Sequence, residues 1–181
     1  MFVQLAEPSR SRLPAYADLR LRVRATAERI NRRFGGVDYC PLILLEGHHS
    51  PSEISRFLRA ADLCYVGSLH DGMNLVSKEF VRERDDQHGV LVLSAFAGAA
   101  RELEDAVIVN PYDIDGTAAA LAAALAMTAG EQLARMGRMR RVVAHHDAHR
   151  WAADMLTDAV RLRTERPKSF VSTEASFATA V

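Results

Sequence analysis

Five short, nearly continuous apolar runs punctuate the chain: Phe2–Ala6, Pro41–Leu45, Leu63–Val66, Val90–Ser94 and Ala106–Val109. Each is rich in Val, Leu or Ile and none alternates cleanly with polar residues, the pattern of strands covered on both faces, as in parallel sheets. Helical patterns fill the intervals at Pro14–Phe34, Pro51–Ala61, Leu75–Arg84, Gly98–Leu103 and Thr117–Met127, and one or two further helices are expected within Glu131–Thr164. Strand, helix and strand repeated in this order predict right-handed βαβ units and an α/β, doubly wound parallel sheet. At 181 residues the chain is long enough for one such domain, read here as residues 1–164, with 165–181 as a disordered tail.

Local punctuation agrees with this reading. Ser50-Pro51-Ser52-Glu53 combines an N-cap Ser, a Pro at the first helical position and a Glu placed to close a capping box. Asn74 is an N-cap candidate before Leu75, and Gly35-Gly36 ends the first long helix. The chain opens almost directly into a strand, so the domain is expected to be minimal or incomplete on its N-terminal side.

Charge and cysteine content narrow the function classes. With 23 basic and 23 acidic residues the net charge is zero, which gives no general reason to expect nucleic acid or an anionic membrane as partner. No apolar stretch approaches the roughly 20 residues that span a bilayer. Two cysteines, Cys40 and Cys64, with no CxxC pair argue against a disulfide framework and fit a reducing cytoplasm; both read as small core residues at strand beginnings.

Ligands of open α/β sheets bind beyond the carboxyl ends of the strands. The residues leaving the third apolar run therefore carry most weight: Gly67-Ser68-Leu69-His70-Asp71-Gly72-Met73-Asn74, then a helix bearing Ser77, Lys78 and Glu79. A glycine-containing loop feeding a helix N-terminus exposes N–H groups suited to an anionic or hydroxyl-rich ligand. Asp71 before that helix and Glu79 inside it are acceptors that can each take two hydroxyl hydrogen bonds from a sugar diol. Spacing alone equally allows Asp71 and Asn74 to be helix caps and Glu79 a solvated surface residue.

The string Asp71-Gly72-Met73-Asn74-Leu75-Val76-Ser77-Lys78-Glu79-Phe80 closely resembles the DGMNLVAKEY segment of trehalose-6-phosphate synthases, retaining glycosyltransferases built from two Rossmann-like domains (GT-B). Residues 90–100 resemble that family's GVLVLSEFAGAA, and 107–113 its LVNPYD. Pro8-Ser9-Arg10, Ile30–Gly35 and Trp151 also fall in the family's order. The resemblance covers roughly residues 2–160. It implies the C-terminal, UDP-glucose-binding domain alone, without the acceptor-binding domain and without the first strand, whose end carries the Arg and Lys that grip the diphosphate.

The resemblance also assigns roles. Asp71 becomes the catalytic-site carboxylate holding donor-glucose hydroxyls, with the backbone N–H groups of Gly72, Met73 and Asn74 nearby. Leu75 and Val76 present backbone to the diphosphate, Ser77 and Lys78 belong to the same donor-binding run, and Glu79 takes the ribose diol. His49 falls where the uracil is lined, and Arg10 where the acceptor's phosphate is met. UDP-glucose or UDP is the implied ligand, with no metal and no further cofactor. A separate N-terminal half or a homo-oligomer is the implied protein partner, and the chain alone is expected to be inactive or, as the alternative, a non-catalytic binding module. Two departures stand out: Gly67-Ser68-Leu69-His70 replaces the family's Thr-Pro-Leu-Arg, exchanging a permanent cation for His70, and Ala95 replaces a polar or acidic residue.

Three weaker signals are given structural readings. His145 and His149 at i, i+4 could share a face of one helix beside His146 and Asp147, but lack a third ligand with zinc spacing. Asp113-Ile114-Asp115 reads as a helix cap, not a metal-diphosphate motif. The eight arginines of Arg10–Arg33 are interleaved with Leu21, Val23 and Ile30 and read as a solvated helix face.

Overall fold

The computed structural model describes residues 1–8, 13–146 and 148–164. Its elements run β1 (Phe2–Ala6), α1 (Pro14–Phe34), β2 (Leu42–Glu46), α2 (Pro51–Ala60), β3 (Leu63–Val66), α3 (Leu75–Glu83), β4 (Val90–Ser94), a 3₁₀ helix (Gly98–Arg101), β5 (Val107–Val109), α4 (Ile114–Leu125), α5 (Ala129–His145) and α6 (Ala148–Thr164). The architecture is α/β with parallel strands alternating with helices. The chain divides into two compact units, Met1–Ala61 and the residues from Asp62 on.

The strands form two parallel ladders, one in each unit. In the first unit β1 pairs with β2 in parallel, Phe2 opposite Leu42 through Ala6 opposite Glu46. In the second the order is β3-β4-β5, with Leu63 opposite Val90 and Val92 opposite Val107. Apolar periodicity identifies strands buried on both faces, but it carries no information about which strands are neighbours.

In the first unit, Pro14 starts α1 at a position whose N–H has no intrahelical partner in any helix. Its buried Ala27 and half-buried Val23 and Ile30 lie at helical spacing, whereas Leu21 points outward at 61% exposure. The arginine face is solvated in part: Arg20 and Arg24 reach Glu46 at the end of β2, and Arg32 pairs with Glu28. The Asn31 side chain holds the start of β2, donating to the Leu42 carbonyl at 2.8 Å and accepting from its N–H at 2.9 Å. The capping box on α2 is present as expected: Glu53 N–H donates to Ser50 Oγ, and Ser50 N–H donates to the Glu53 carboxylate at 2.8 Å.

The core of the second unit is built on β4, all of whose residues are buried. Side chains alternate between faces. Val90 and Val92 pack with Val109 and Ala124, flanked by Ala120 and Leu121 of α4. Leu91 and Leu93 fall on the opposite face, and α3 packs on β3 and β4 with α5 against it. There Phe80, Val81 and Met136 are fully buried and Met139 nearly so.

Several local expectations are corrected. Gly98–Leu103 is a 3₁₀ helix ending at Arg101, because Glu102 and Leu103 bond back to Ala99 in a tight turn. The alanine-rich helix starts earlier than Thr117, at Ile114, because Asp113 caps it by accepting from Gly116 N–H at 2.9 Å. His145 and His149 do not share a helix: α5 ends at His145, and His146 leaves helical geometry. Cys40 is exposed, with its Sγ–H donating to the Leu42 carbonyl, so it is no core residue. Cys64 is partly buried, and burial pushes its thiol up to about 12, leaving it protonated and unreactive near neutral pH.

Leu93→Ala tests the weight placed on β4. Removing a fully buried leucine is expected to cost about 3 kcal/mol in urea unfolding. A loss below about 1 kcal/mol would contradict a core centred on this strand.

Candidate functional site

The expected site loop leaves β3 at Val66 and runs to Asn74 at the start of α3, within the second unit. It is fixed by backbone bonds to the segment leaving β4. Asp71 N–H donates to the Phe96 carbonyl at 3.2 Å, Gly98 N–H to the Asp71 carbonyl at 2.9 Å and Ala99 N–H to the Met73 carbonyl at 2.8 Å. Asp71 and Ala97 thereby form a parallel bridge outside the regular strands. The second segment is anchored in turn: Ala95 N–H donates to the Val109 carbonyl at 2.8 Å, and Phe96 N–H to Ser94 Oγ at 3.1 Å.

Gly98 is required by close approach. A Cβ at that position would collide with the carbonyl of Gly72. Gly72 itself faces open space, so nothing steric demands glycine there. The importance of Gly98 was not assigned from the sequence, although Phe96, Ala97 and Gly98 lie inside the string that resembles FAGAA.

Asp71 is held by its own loop. Its Oδ1 accepts from Met73 N–H at 3.2 Å and its Oδ2 from the Asn74 side-chain amide at 3.0 Å. The Asn74 amide, followed by Met73 N–H, holds the Asp71 carboxyl below its ordinary value. The Asn74 N–H and the Ser68 hydroxyl add to that preference for the ionised form, and the residue stays partly exposed. The Met73 N–H is turned to Asp71.

Asn74 is the N-cap of α3, as expected: its Oδ1 accepts from Ser77 N–H at 2.9 Å, and Ser77 Oγ–H donates to the Asn74 carbonyl at 2.8 Å. Leu75 and Val76 occupy the first turn, where N–H groups have no intrahelical partner and the helix dipole favours an anion. Their side chains are 59% and 46% exposed, so the helix end is open to solvent. Ser77 is fully buried, and its N–H and hydroxyl close the helix start.

Lys78 is half-buried and donates to Glu102 at 2.8 Å, tying α3 to the residue after the 3₁₀ helix. Glu79 is exposed and makes no hydrogen bond or ion pair among the described residues. Beside the loop, His70 lies against Phe96 with ring centroids 5.9 Å apart, and Phe96 meets Tyr112 edge-on at 5.7 Å. This exposed aromatic row was also not read from the sequence, because its members come from three separate loops.

The other expected residues are His49 and Arg10. His49 belongs to the first unit, where its Nε2 is 3.4 Å from the Leu45 carbonyl. Its neighbour His48 pairs with Glu7 at 2.7 Å, and that hydrogen bond and charge raise the imidazole above its ordinary value. Arg10, Asp147 and the expected tail 165–181 fall outside the described residues. A cavity of about 200 Å³ in the first unit is lined by Ala6, Tyr16, Val23 and Leu44. Its Glu46 is already ion-paired with Arg24 and Arg20, so the acid is spent structurally. Among the described residues no group of three His, Cys, Asp or Glu is placed to hold a metal, and no helix is long and apolar enough to cross a membrane.

Known proteins bear on this geometry. The sequence model of Glycosyltransferase family 20 matches residues 1–161. A trehalose-6-phosphate synthase from Klebsiella pneumoniae is 45% identical over 158 residues, which cover 87% of this chain and 33% of that protein. One from Salmonella arizonae is 43% identical, over 93% of this chain and 35% of its own. A crystal structure of the Burkholderia xenovorans α,α-trehalose-phosphate synthase in complex with glucose-6-phosphate is similar with a TM-score of 0.83 and 43% identity, over 87% of this chain and 35% of that one. An E. coli structure described as bound with UDP-2-fluoro glucose gives 0.83 and 42%, over 86% and 35%. The chain thus spans about a third of the length of these relatives.

Gly98→Ala tests the stitched loop. The added methyl is expected to push the 71–73 segment off its bonds and to cost about 2 kcal/mol, as overpacking does. Hydrogen exchange should show faster exchange at Asp71 and Ala99 N–H, with β4 still protected. Unchanged exchange at both amides would show that the segments are not coupled.

Proposed function

The chain belongs to glycosyltransferase family 20, and on that footing we propose that it is the donor-binding portion of a trehalose-6-phosphate synthase, taking UDP-glucose at the mouth of α3. The observation that carries the proposal is the Asp71 carboxylate, held by Asn74 and Met73 beside the open first turn of α3. In this reading Asp71 accepts hydroxyls of the donor glucose, and the N–H groups of Leu75 and Val76 meet the diphosphate. The free carboxylate of Glu79 takes the ribose diol. His49 lines the base, and Arg10 meets the acceptor's phosphate.

The ladders support the donor-domain assignment. In the doubly wound order 3-2-1-4-5-6, strands 2 and 3 are neighbours, as are 4, 5 and 6. The pairs β1-β2 and β3-β4-β5 are parallel neighbours of this kind, a consecutive pair and a consecutive triplet. The ligands of the related structures fit a two-substrate reaction in which glucose passes from UDP-glucose to glucose 6-phosphate.

The chemistry asked of this portion is placement. A held carboxylate and a helix N-terminus fix the donor and stabilise charge on the departing diphosphate, and they supply no protein nucleophile. Orientation against an acceptor needs the acceptor's own site.

Calorimetric titration with UDP-glucose tests the proposal. Saturable binding is expected, weakened about tenfold in Glu79→Gln, the worth of one charge-assisted hydrogen bond pair. Absence of binding to a chain that melts cooperatively would refute it. A second expectation concerns turnover: incubated with UDP-glucose and glucose 6-phosphate, the chain alone forms no trehalose 6-phosphate. Its formation would show that these 181 residues carry more than the donor portion.

A further inference from the structure

Asn74 occupies an unusual position for an ordinary helix cap. Its φ is +73°, a left-handed conformation that few non-glycine residues adopt, and the side chain is buried at 9% exposure. Capping alone needs only the side-chain oxygen, which Ser77 N–H uses. The amide nitrogen is aimed the other way, 3.0 Å from Asp71 Oδ2 and 3.4 Å from Ser68 Oγ. One planar amide therefore spans two structures, the first turn of α3 and the carboxylate of the loop before it.

We propose that Asn74 is a positioning residue: its amide N–H locks the Asp71 carboxylate in one rotamer, so that helix α3 and the sugar-binding acid are set by the same side chain. Three observations converge. Asp, Ser, Thr and Gly satisfy a cap about as well as Asn, yet of these and Asn only Asn joins a cap acceptor to a fixed donor. The left-handed backbone, which Asn tolerates better than other side chains, swings the amide between Ser77 N–H and Asp71. The loop backbone is independently pinned by Gly98 and Ala99, so the remaining freedom at Asp71 is side-chain rotation, which the amide restricts more than Met73 N–H, Asn74 N–H or Ser68 does.

A held carboxylate binds a diol without first losing its own rotational freedom, which is how preorganisation raises affinity. Ser68 Oγ, within reach of the same amide, completes the surround. The consequence for ligand binding rests on the donor reading above; the positional claim does not.

The test uses two variants of the full chain. Asn74→Gly accepts the positive φ and is nearly neutral as a cap, but deletes the amide. Asn74→Asp keeps the cap acceptor and replaces the donor facing Asp71 with a second acceptor. Carboxyl ¹³C NMR titration of Asp71 is the spectroscopic readout, with thermal melting and UDP-glucose calorimetry beside it. Both variants are expected to melt within a few degrees of the unsubstituted chain, while the Asp71 carboxyl titrates at higher pH in each. The sign follows from linkage: a depressed folded-state value means that the ionised form is favoured, the amide is the largest cause, and deleting it raises the value while Met73 N–H, Asn74 N–H and Ser68 keep part of the depression.

UDP-glucose affinity is expected to fall about tenfold in both variants. An Asp71 titration unchanged in Asn74→Gly would overturn the proposal and leave Asn74 a cap only. A variant that melts far lower, with Asp71 shifting no more than other carboxyls of the chain, would overturn it as well. Should the unsubstituted chain bind no UDP-glucose, the donor reading falls, and the Asp71 titration still decides the role of Asn74.

Discussion

The burial of β4 is the constraint from which the rest of the second unit follows. All five of its residues are withdrawn from water, and it pairs on both edges with shorter parallel strands. A strand so enclosed cannot shift register without exposing apolar side chains on both faces. Its C-terminal exit is therefore a fixed point. Ser94 and Val109 hold the next residues, and Phe96, Gly98 and Ala99 pass that rigidity to the loop carrying Asp71 through three backbone hydrogen bonds. The position of the Asp71 carboxylate is thus set by apolar packing about one loop away.

Charge in the site is divided in a way that shapes what it can hold. Lys78, the one cation between Asp71 and Glu79, is engaged by Glu102 at 2.8 Å. His70 stands where the resembled family carries arginine, and it packs against Phe96. Backbone N–H groups of the first turn of α3 are consequently the main electropositive feature of this segment. They suit an anion through direction and dipole, and they contribute less than a paired guanidinium would. The two carboxylates differ in kind: Asp71 is held by the chain itself, and Glu79 makes no hydrogen bond or ion pair among the described residues.

Legibility in the sequence tracked the range of the interaction. β1, β3, β4 and α1 were read to the residue, because continuous apolar runs, Pro14 and Gly35 are local signals. The capping box at Ser50 and the caps at Asn74 and Asp113 were legible for the same reason, since each bond closes within three residues. Errors arose where a local pattern competed with a distant one. Residues 98–103 have helical composition, but the bonds of Gly98 and Ala99 to the Asp71 loop draw them into a short 3₁₀ helix. The two-ladder division and the aromatic row of His70, Phe96 and Tyr112 depend on which strands are neighbours, which periodicity does not encode. Asn74 was legible as a cap and not as a clamp, because its second partner is recognised only once the left-handed backbone is seen.

Binding and turnover separate naturally in a chain of this length. A transfer reaction between two sugars gains most of its rate from holding both reactants in line, and that gain needs two sites at a fixed distance. Recognition of a nucleotide sugar needs only one. The stitched loop, the clamped Asp71 and the open α3 terminus are all within the second unit and draw on its own core. The loop geometry therefore holds for as long as β4 stays buried, because the same core fixes both.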